Sequence, residues 1–126
     1  NLGTNTFNNF VLALEESEKK QTITDGNGYI LNWQQVSYCY RDTKNFTCER
    51  CNFKAIYDTE KKYLHTHHRD RDKKNNSRSN LECLCVECHS TVDQYHKEKF
   101  SFEGLKPLND FLIFKNKIKK HSIISR

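Results

Sequence analysis

Two C-x-x-C pairs, Cys48-Glu-Arg-Cys51 and Cys85-Val-Glu-Cys88, constrain this chain more than any other feature. The spacing lets two thiolates reach one ion from a single tight turn, and two such turns complete a tetrahedron around zinc. The pairs stand 33 residues apart, more than a zinc ribbon usually places between them. That excess is enough for a hairpin and a long loop, so the metal would close a functional insert. Disulfides or a redox C-x-x-C are the competing readings. A doubled motif is an unusual way to build the first and more than the second requires. Cys39 and Cys83 stand outside the pairs, and Cys83, sharing strand parity with Leu81, reads as a small buried hydrophobe.

A metal staple suits the composition. The chain has 126 residues, about one domain, of which 35% are hydrophobic and 29% charged. A core that thin usually needs disulfides or a metal to hold it. The longest apolar runs, Phe10–Leu14 and Phe111–Phe114, are far too short to cross a bilayer, and nothing resembles a secretory signal. A cytoplasmic, reducing setting with no membrane partner is therefore expected, where paired cysteines favour metal over disulfide. The first residue is Asn1 rather than Met, which fits a piece of a larger protein with domains or subunits upstream.

Periodicity supplies the elements. Phe7, Phe10, Val11 and Leu14 mark one face of a helix ending near Lys20, with Thr6 as N-cap. A turn at Asp25–Gly28 precedes a short helix from Asn32 that carries Trp33, Val36 and Tyr40 on one side. After the Cys48–Cys51 knuckle, a strand through Phe53, Ala55 and Tyr57 is expected, then a turn at Asp58–Lys61 and a strand at Leu64–His68. The polar stretch Arg69–Ser79 reads as a loop, Leu81–Leu84 as a strand, and His89 to about Phe100 as a helix. Pro107 introduces a last basic amphipathic helix with Leu108, Phe111, Leu112 and Ile118, while Phe7–Leu14 could be core, a homodimer face or a docking surface for upstream domains.

The run from Leu64 to His89 contains His67-His68, an asparagine-rich loop, Asn80-Leu81 and Leu84-Cys85-Val-Glu-Cys88-His89, in that order. With Arg41-Asp42 ahead of the first C-x-x-C, this resembles the HNH endonuclease family, in its branch with four zinc-binding cysteines, over about Trp33 to His96. The resemblance implies an α+β fold: a small ββα-metal (His-Me finger) core with a four-cysteine zinc knuckle and flanking helices. It divides the chain into a helical extension at 1–31, a nuclease domain at 32–104 and a basic C-terminal helix at 105–126. It also implies His67 and His89 as ligands of a catalytic divalent cation, His68 as general base, and Asn80 as the brace of the loop between the strands. Cys48, Cys51, Cys85 and Cys88 would hold structural zinc. The pattern departs from the family at Arg69, where an apolar residue is usual, and in having His-His where many members have Asp-His.

The chemistry agrees with that assignment. Phosphodiester hydrolysis needs a base to deprotonate water, and a neutral imidazole with a reference pKa of ~6.5 can be that base at physiological pH. A cation held by few protein ligands keeps positions open for phosphate oxygens. Neighbours on a strand point to opposite faces, so His67 and His68 cannot both hold one ion, which leaves one free as base. Asp93, at i+4 from His89, is a candidate third ligand, with a surface or capping role as the alternative, and His96 at i+7 ranks behind it. His65 shares parity with His67 as a partner, a substrate contact or strand surface. A histidine-rich site favours Zn²⁺, Ni²⁺ or Mn²⁺ over Mg²⁺.

Net charge is +5, concentrated in two blocks. Lys61–Arg78 carries Arg69, Arg71, Lys73, Lys74 and Arg78, and the tail carries Lys115 and Lys119 among other lysines. Both blocks suit phosphates of double-stranded DNA on either side of a cut, although an ordinary solvated surface would read the same. The leading function is thus a DNA endonuclease of a restriction or defence system. The alternatives are a non-catalytic zinc module that binds DNA, and a toxin-like nuclease acting on RNA or non-specifically.

Overall fold

A two-stranded antiparallel hairpin has helices against both of its faces. β1 (Leu64–His68) pairs with β2 (Leu81–Cys85) in the register Leu64↔Cys85, His65↔Leu84, Thr66↔Cys83, His67↔Glu82 and His68↔Leu81. Cross-strand partners share a face and faces alternate along each strand. Leu64, Thr66, His68 and Cys83 therefore look one way, while His65, His67, Glu82 and Leu84 look the other. This computed structural model describes residues 2–19, 28–29, 32–102 and 104–124, with the backbone alone at 2–5, 17–19 and 121–124. Most of the expected turn at Asp25–Gly28 lies outside the described residues.

The first face is covered by α2 (Trp33–Thr43), whose Trp33, Val36, Ser37 and Tyr40 are buried at helical spacing. Ser37 Oγ donates to Thr66 Oγ1 at 2.7 Å, and the Tyr40 hydroxyl lies 2.9 Å from the Leu81 carbonyl. Behind it, α1 (Leu2–Lys19) buries Phe10 edge-on against Tyr40, 5.6 Å between rings. Asn32 Nδ2 ties the two helices by donating to the Ala13 carbonyl at 2.9 Å. Thr6 lies inside α1 rather than capping it, because the apolar stripe marks only the packed part of a helix that already begins at Leu2.

Beyond α2 the chain turns at Asn45 and Phe46, both with positive φ, into the first cysteine pair. The strand expected through Phe53, Ala55 and Tyr57 is reduced to a single bridge, Thr47↔Lys54, around the knuckle. Ile56 and Tyr57 are exposed and no strand lies beside them among the described residues, so the ladder has nothing there to extend onto. Asp58–Tyr63 forms a 3₁₀ turn into β1.

The second face receives α3 (Val86–Ser90) and α4 (Gln94–Phe100), where one continuous helix was expected. Ser90 and Thr91 hydroxyls bond back to the carbonyl of Glu87, and Asp93 adopts an extended backbone and caps α4 by accepting from the His96 amide at 2.8 Å. Side chains of this kind compete with the helix ladder and favour caps. His89 consequently sits near the end of α3 instead of opening a helix. α5 (Leu105–Ile124) has Pro107 in its first turn, where a missing N–H costs nothing, and buries Phe111 against Phe53 and Tyr63. Phe10 and Phe111 belong to the same hydrophobic cluster as the hairpin. Among the described residues no helix is long and apolar enough to cross a membrane.

Candidate metal centres

Two groups of side chains among the described residues converge closely enough to hold a metal ion. The first is Cys48, Cys51, Cys85 and Cys88, whose sulfurs all lie within 4.8 Å of one another. Cys51 Sγ and Cys85 Sγ are 3.6 Å apart. Four sulfurs ~2.3 Å from a tetrahedral zinc stand ~3.8 Å from each other, so the spacing fits zinc. All the cysteines are free, and none is bridged. Each pair closes the same turn: Cys51 N donates to Cys48 Sγ at 3.5 Å and Cys88 N to Cys85 Sγ at 3.4 Å.

The thiols also hold charge unevenly. A hydrogen bond with Cys85 brings Cys48 down to about 4, whereas burial pushes Cys88 up to about 12. Four thiolates this close cannot coexist against their mutual repulsion, and a divalent cation at their centre removes the conflict. Cys83 is fully buried on the α2 side of β2, its thiol pushed up to about 12 by burial, and it takes no part in the cluster.

The knuckle is pinned to β2 beyond its cysteines. Glu49 exchanges backbone and side-chain bonds with Cys83: its amide donates to the Cys83 carbonyl at 2.8 Å, and its Oε2 accepts from the Cys83 amide at 2.6 Å. Arg50 grips buried Glu82 with two nitrogens, at 3.0 and 3.2 Å.

The second group is His67, His89 and His96, with one ring nitrogen from each also within 4.8 Å of the others. Seven residues along one straight helix would separate His89 and His96 by ~10.5 Å, too far to share an ion. The break between α3 and α4 brings their rings to 4.8 Å. Asp93 stands beside this cluster: its Oδ1 is 2.7 Å from His96 Nδ1, which leaves His96 Nε2 as the nitrogen with a free lone pair. His65 holds the same relation to His89, with the two Nδ1 atoms 3.0 Å apart. Burial brings His67 down to about 4 and His89 to about 2, so these two rings are uncharged at neutral pH and suited to ligation.

His68 turns to the opposite face of β1, as parity requires, and lies against Trp33 with 4.6 Å between ring centres. Its Nε2 is 2.7 Å from Asn76 Oδ1. A carbonyl oxygen can only accept, so Nε2 carries the proton and Nδ1 the lone pair. Burial lowers the His68 pKa, with the Asn76 hydrogen bond opposing, which keeps the ring neutral. His67, His68, His89 and His96 line one cavity of about 390 Å³, with Arg71 and Lys73 on its rim.

The loop between the strands is held by Asn80. Its amide donates to Asp70 Oδ1 at 2.9 Å and to the Asn75 carbonyl at 2.8 Å, while its Oδ1 accepts from the Asp70 amide at 3.1 Å. Of the basic residues singled out from the sequence, Arg71 stacks over Tyr95 and Lys73 over Tyr29 at the cavity. Arg69 points to Glu82 at 3.8 Å, Arg78 lies over Phe7, and Lys74 is exposed. Lys115 bonds Glu87 at 2.6 Å, and neither it nor Lys119 lines the cavity.

His96, ranked behind Asp93 in the sequence, joins the cluster, His65 takes the partner role among its open readings, and Asn76 acquires a place beside His68 that spacing had not given it. Ser90-Thr91-Val92-Asp93 is the available signal for the first, since a helix-breaking run ending in a good N-cap announces a bend.

No family model matches the chain, and no solved structure matches it. A stretch of 63 residues, half of the chain, is 35% identical to the Zorya protein ZorE of Escherichia coli, and the match covers 17% of the length of that protein.

Proposed function

We propose that the chain is an HNH-type endonuclease that hydrolyses phosphodiester bonds in DNA, with a ββα core built from β1, β2 and α3. The observation that carries this reading is the convergence of His67, His89 and His96 on one point, with His68 on the same cavity but from the other face of the strand. His67, His89 and His96 would hold one divalent cation, Mn²⁺, Ni²⁺, Zn²⁺ or Mg²⁺, which when bound supplies Lewis-acid stabilisation to the phosphate and the leaving oxygen. Asp93 then orients His96 instead of ligating.

His68 Nδ1 accepts the proton of the attacking water. Asn76 fixes the ring by accepting from Nε2–H, and Trp33 excludes solvent from its face. Arg71 and Lys73 hold phosphates at the rim, with Arg69, Lys74 and Arg78 farther along the loop. Asn80 keeps that loop in shape. Cys48, Cys51, Cys85 and Cys88 hold structural zinc, which fixes the start of α3 and with it His89. The likeness to a Zorya protein supports a defence or restriction setting.

Nicking of supercoiled plasmid with Mn²⁺, wild type against His68→Ala, tests the reading. The variant is expected to keep its metal and lose ~10²–10⁴ of the rate. If both proteins bind DNA and neither cuts it, the chain is a zinc-stabilised binding module. Equal cutting of RNA and duplex DNA would make it a non-specific nuclease.

A further inference from the structure

The cavity at the histidine cluster adjoins a second one of greater volume. A basin of about 530 Å³ lies along the other half of β1, and the two share Tyr29, Thr66, His89 and Lys99 in their walls. The first reaches from Thr66 towards His68, and the second runs back from Thr66 to Leu64. Together they form one trough along the edge of the strand.

The electrostatics of the basin are one-sided. Arg41, Lys62 and Lys99 line it, and no carboxylate does. Arg41 is held from behind: Nε donates to the Ser37 carbonyl at 3.2 Å and Nη1 to the Leu64 carbonyl at 2.9 Å. Both acceptors are neutral, so the guanidinium is positioned without its charge being cancelled. Burial lowers its pKa, which records the cost of keeping that charge there. None of the ion pairs among the described residues involves Arg41, Lys62 or Lys99. Arg41 lies over the Tyr38 ring at 6.0 Å and Lys62 over the Tyr63 ring at 5.2 Å, contacts that leave both charges uncancelled, whereas Lys115 and Lys106 are paired with the carboxylates of Glu87 and Asp110.

We propose that this basin is a second phosphate-binding subsite, which takes the sugar-phosphate backbone of the substrate strand on the side of the cut opposite to Arg71 and Lys73. β1 runs roughly 13 Å from end to end at ~3.3 Å per residue. Successive phosphates of one strand advance ~3.4 Å along a duplex axis and roughly twice that along the backbone itself, so the trough has the length for about two of them. The strand enters at Arg71 and Lys73, passes the histidines, and leaves over Lys99 towards Arg41 and Lys62. Cations on both sides of the scissile bond fix its position along the trough, which one basic loop cannot do alone. The inference rests on the nuclease reading for its orientation, and its test is separate from cleavage.

Binding of a fluorescein-labelled DNA duplex to the zinc-loaded chain is measured by anisotropy over a series of salt concentrations, with no divalent cation added. Lys62→Gln and Lys99→Gln are each expected to lower the slope of log Kobs against log salt by about one, and together by about two. Lys54→Gln, equally exposed and outside both cavities, serves as the charge-matched control. Arg41→Lys keeps the charge but not the two-carbonyl anchor, and is expected to weaken binding with an unchanged slope.

An unchanged slope in the Lys62/Lys99 double variant overturns the subsite, as does an equal loss from Lys54→Gln or a wild type that does not bind. The nuclease reading is scored on its own by Mn²⁺-dependent nicking. Wild-type chain that binds through the basin and does not cut leaves the subsite standing and removes the nuclease. Cutting with a basin-independent salt slope does the reverse.

Discussion

His65 Nδ1 lies 3.0 Å from His89 Nδ1, and only one of the two nitrogens can carry a proton. If His89 donates, its Nε2 has the lone pair that a metal needs. If His65 donates, His89 Nε2 is protonated and cannot ligate. A metal ion held by His67, His89 and His96 would therefore select the first arrangement, with His65 as acceptor. Asp93 does the same for His96 as a carboxylate acceptor. His65→Phe fills the space, removes the acceptor, and is expected to weaken Co²⁺ or Mn²⁺ binding by ~10–100-fold with the circular dichroism unchanged. Asp93→Asn should act similarly through His96. Titration calorimetry on the zinc-loaded chain reads both, and an unaltered affinity in His65→Phe would mean that His89 is oriented by packing alone.

The same histidines set a pH dependence. His65 and His67 are brought down to about 4 by burial, against ~6.5 in an unfolded chain. Between those values the unfolded chain binds more protons than the folded one. The full stability is thus present above about pH 6.5 and is lost as pH falls towards 4. Asp70 and Asp93 have pKa values below the usual carboxylate value, so their contribution is lost only at lower pH, outside this window. Urea midpoints are expected to drop between pH 7.5 and pH 5. A midpoint that is flat or rises over that range would show that the rings protonate freely in the native state.

What the sequence revealed and what it hid follow from the range of the interactions. The four-cysteine cluster was legible because C-x-x-C encodes a local turn, and two local turns need only meet. The opposite facing of His67 and His68 was legible because strand parity is fixed over two residues. The helix from His89 to Phe100 was misread because helical periodicity continues across Thr91–Asp93, and only the capping chemistry there interrupts it. On one straight helix Asp93 reads equally as a ligand at i+4 or as a cap; the bend makes it the cap of α4 and brings His96 beside His89. The expected strand at Phe53–Tyr57 has the right residues but no neighbouring strand, and pairing is not a local property. Asn76 faces His68 across a loop of polar residues, where no periodicity exists to point it out.

That contact carries the next prediction. Asn76 Oδ1 accepts from His68 Nε2–H and so keeps the lone pair on Nδ1, the nitrogen proposed as base. Asn76→Ala removes the acceptor without touching the metal cluster. Turnover in the Mn²⁺ assay is expected to fall by about one to two orders of magnitude with KM and metal affinity kept, by analogy with the loss of other ring-orienting partners. Asn76→Asp retains an acceptor and should recover most of the rate. Equal loss in the alanine and aspartate variants would assign Asn76 to loop structure instead, a role that Asn80 already fills with three hydrogen bonds.

Arg50 links the two centres mechanically. It belongs to the first cysteine turn, and it grips Glu82, the cross-strand partner of His67. Glu82 is only 5% exposed, so without Arg50 its carboxylate keeps just Arg69 at 3.8 Å. Leaving a buried charge unpaired is costly, ~3–5 kcal/mol at full burial. Here the Arg50 side chain is 45% exposed and solvent screens part of the loss, which reduces the expected cost of Arg50→Ala to about 2 kcal/mol. Adding Glu82→Gln removes the stranded charge and should restore at least half of that loss, measured as a coupling in a double-mutant cycle. Zinc release to a chelator should also speed up in Arg50→Ala, because the knuckle then opens without dragging β2. If Arg50→Ala costs less than about 0.5 kcal/mol, within the range of an ordinary surface ion pair, the cysteine turn is positioned by its metal and by Glu49 alone.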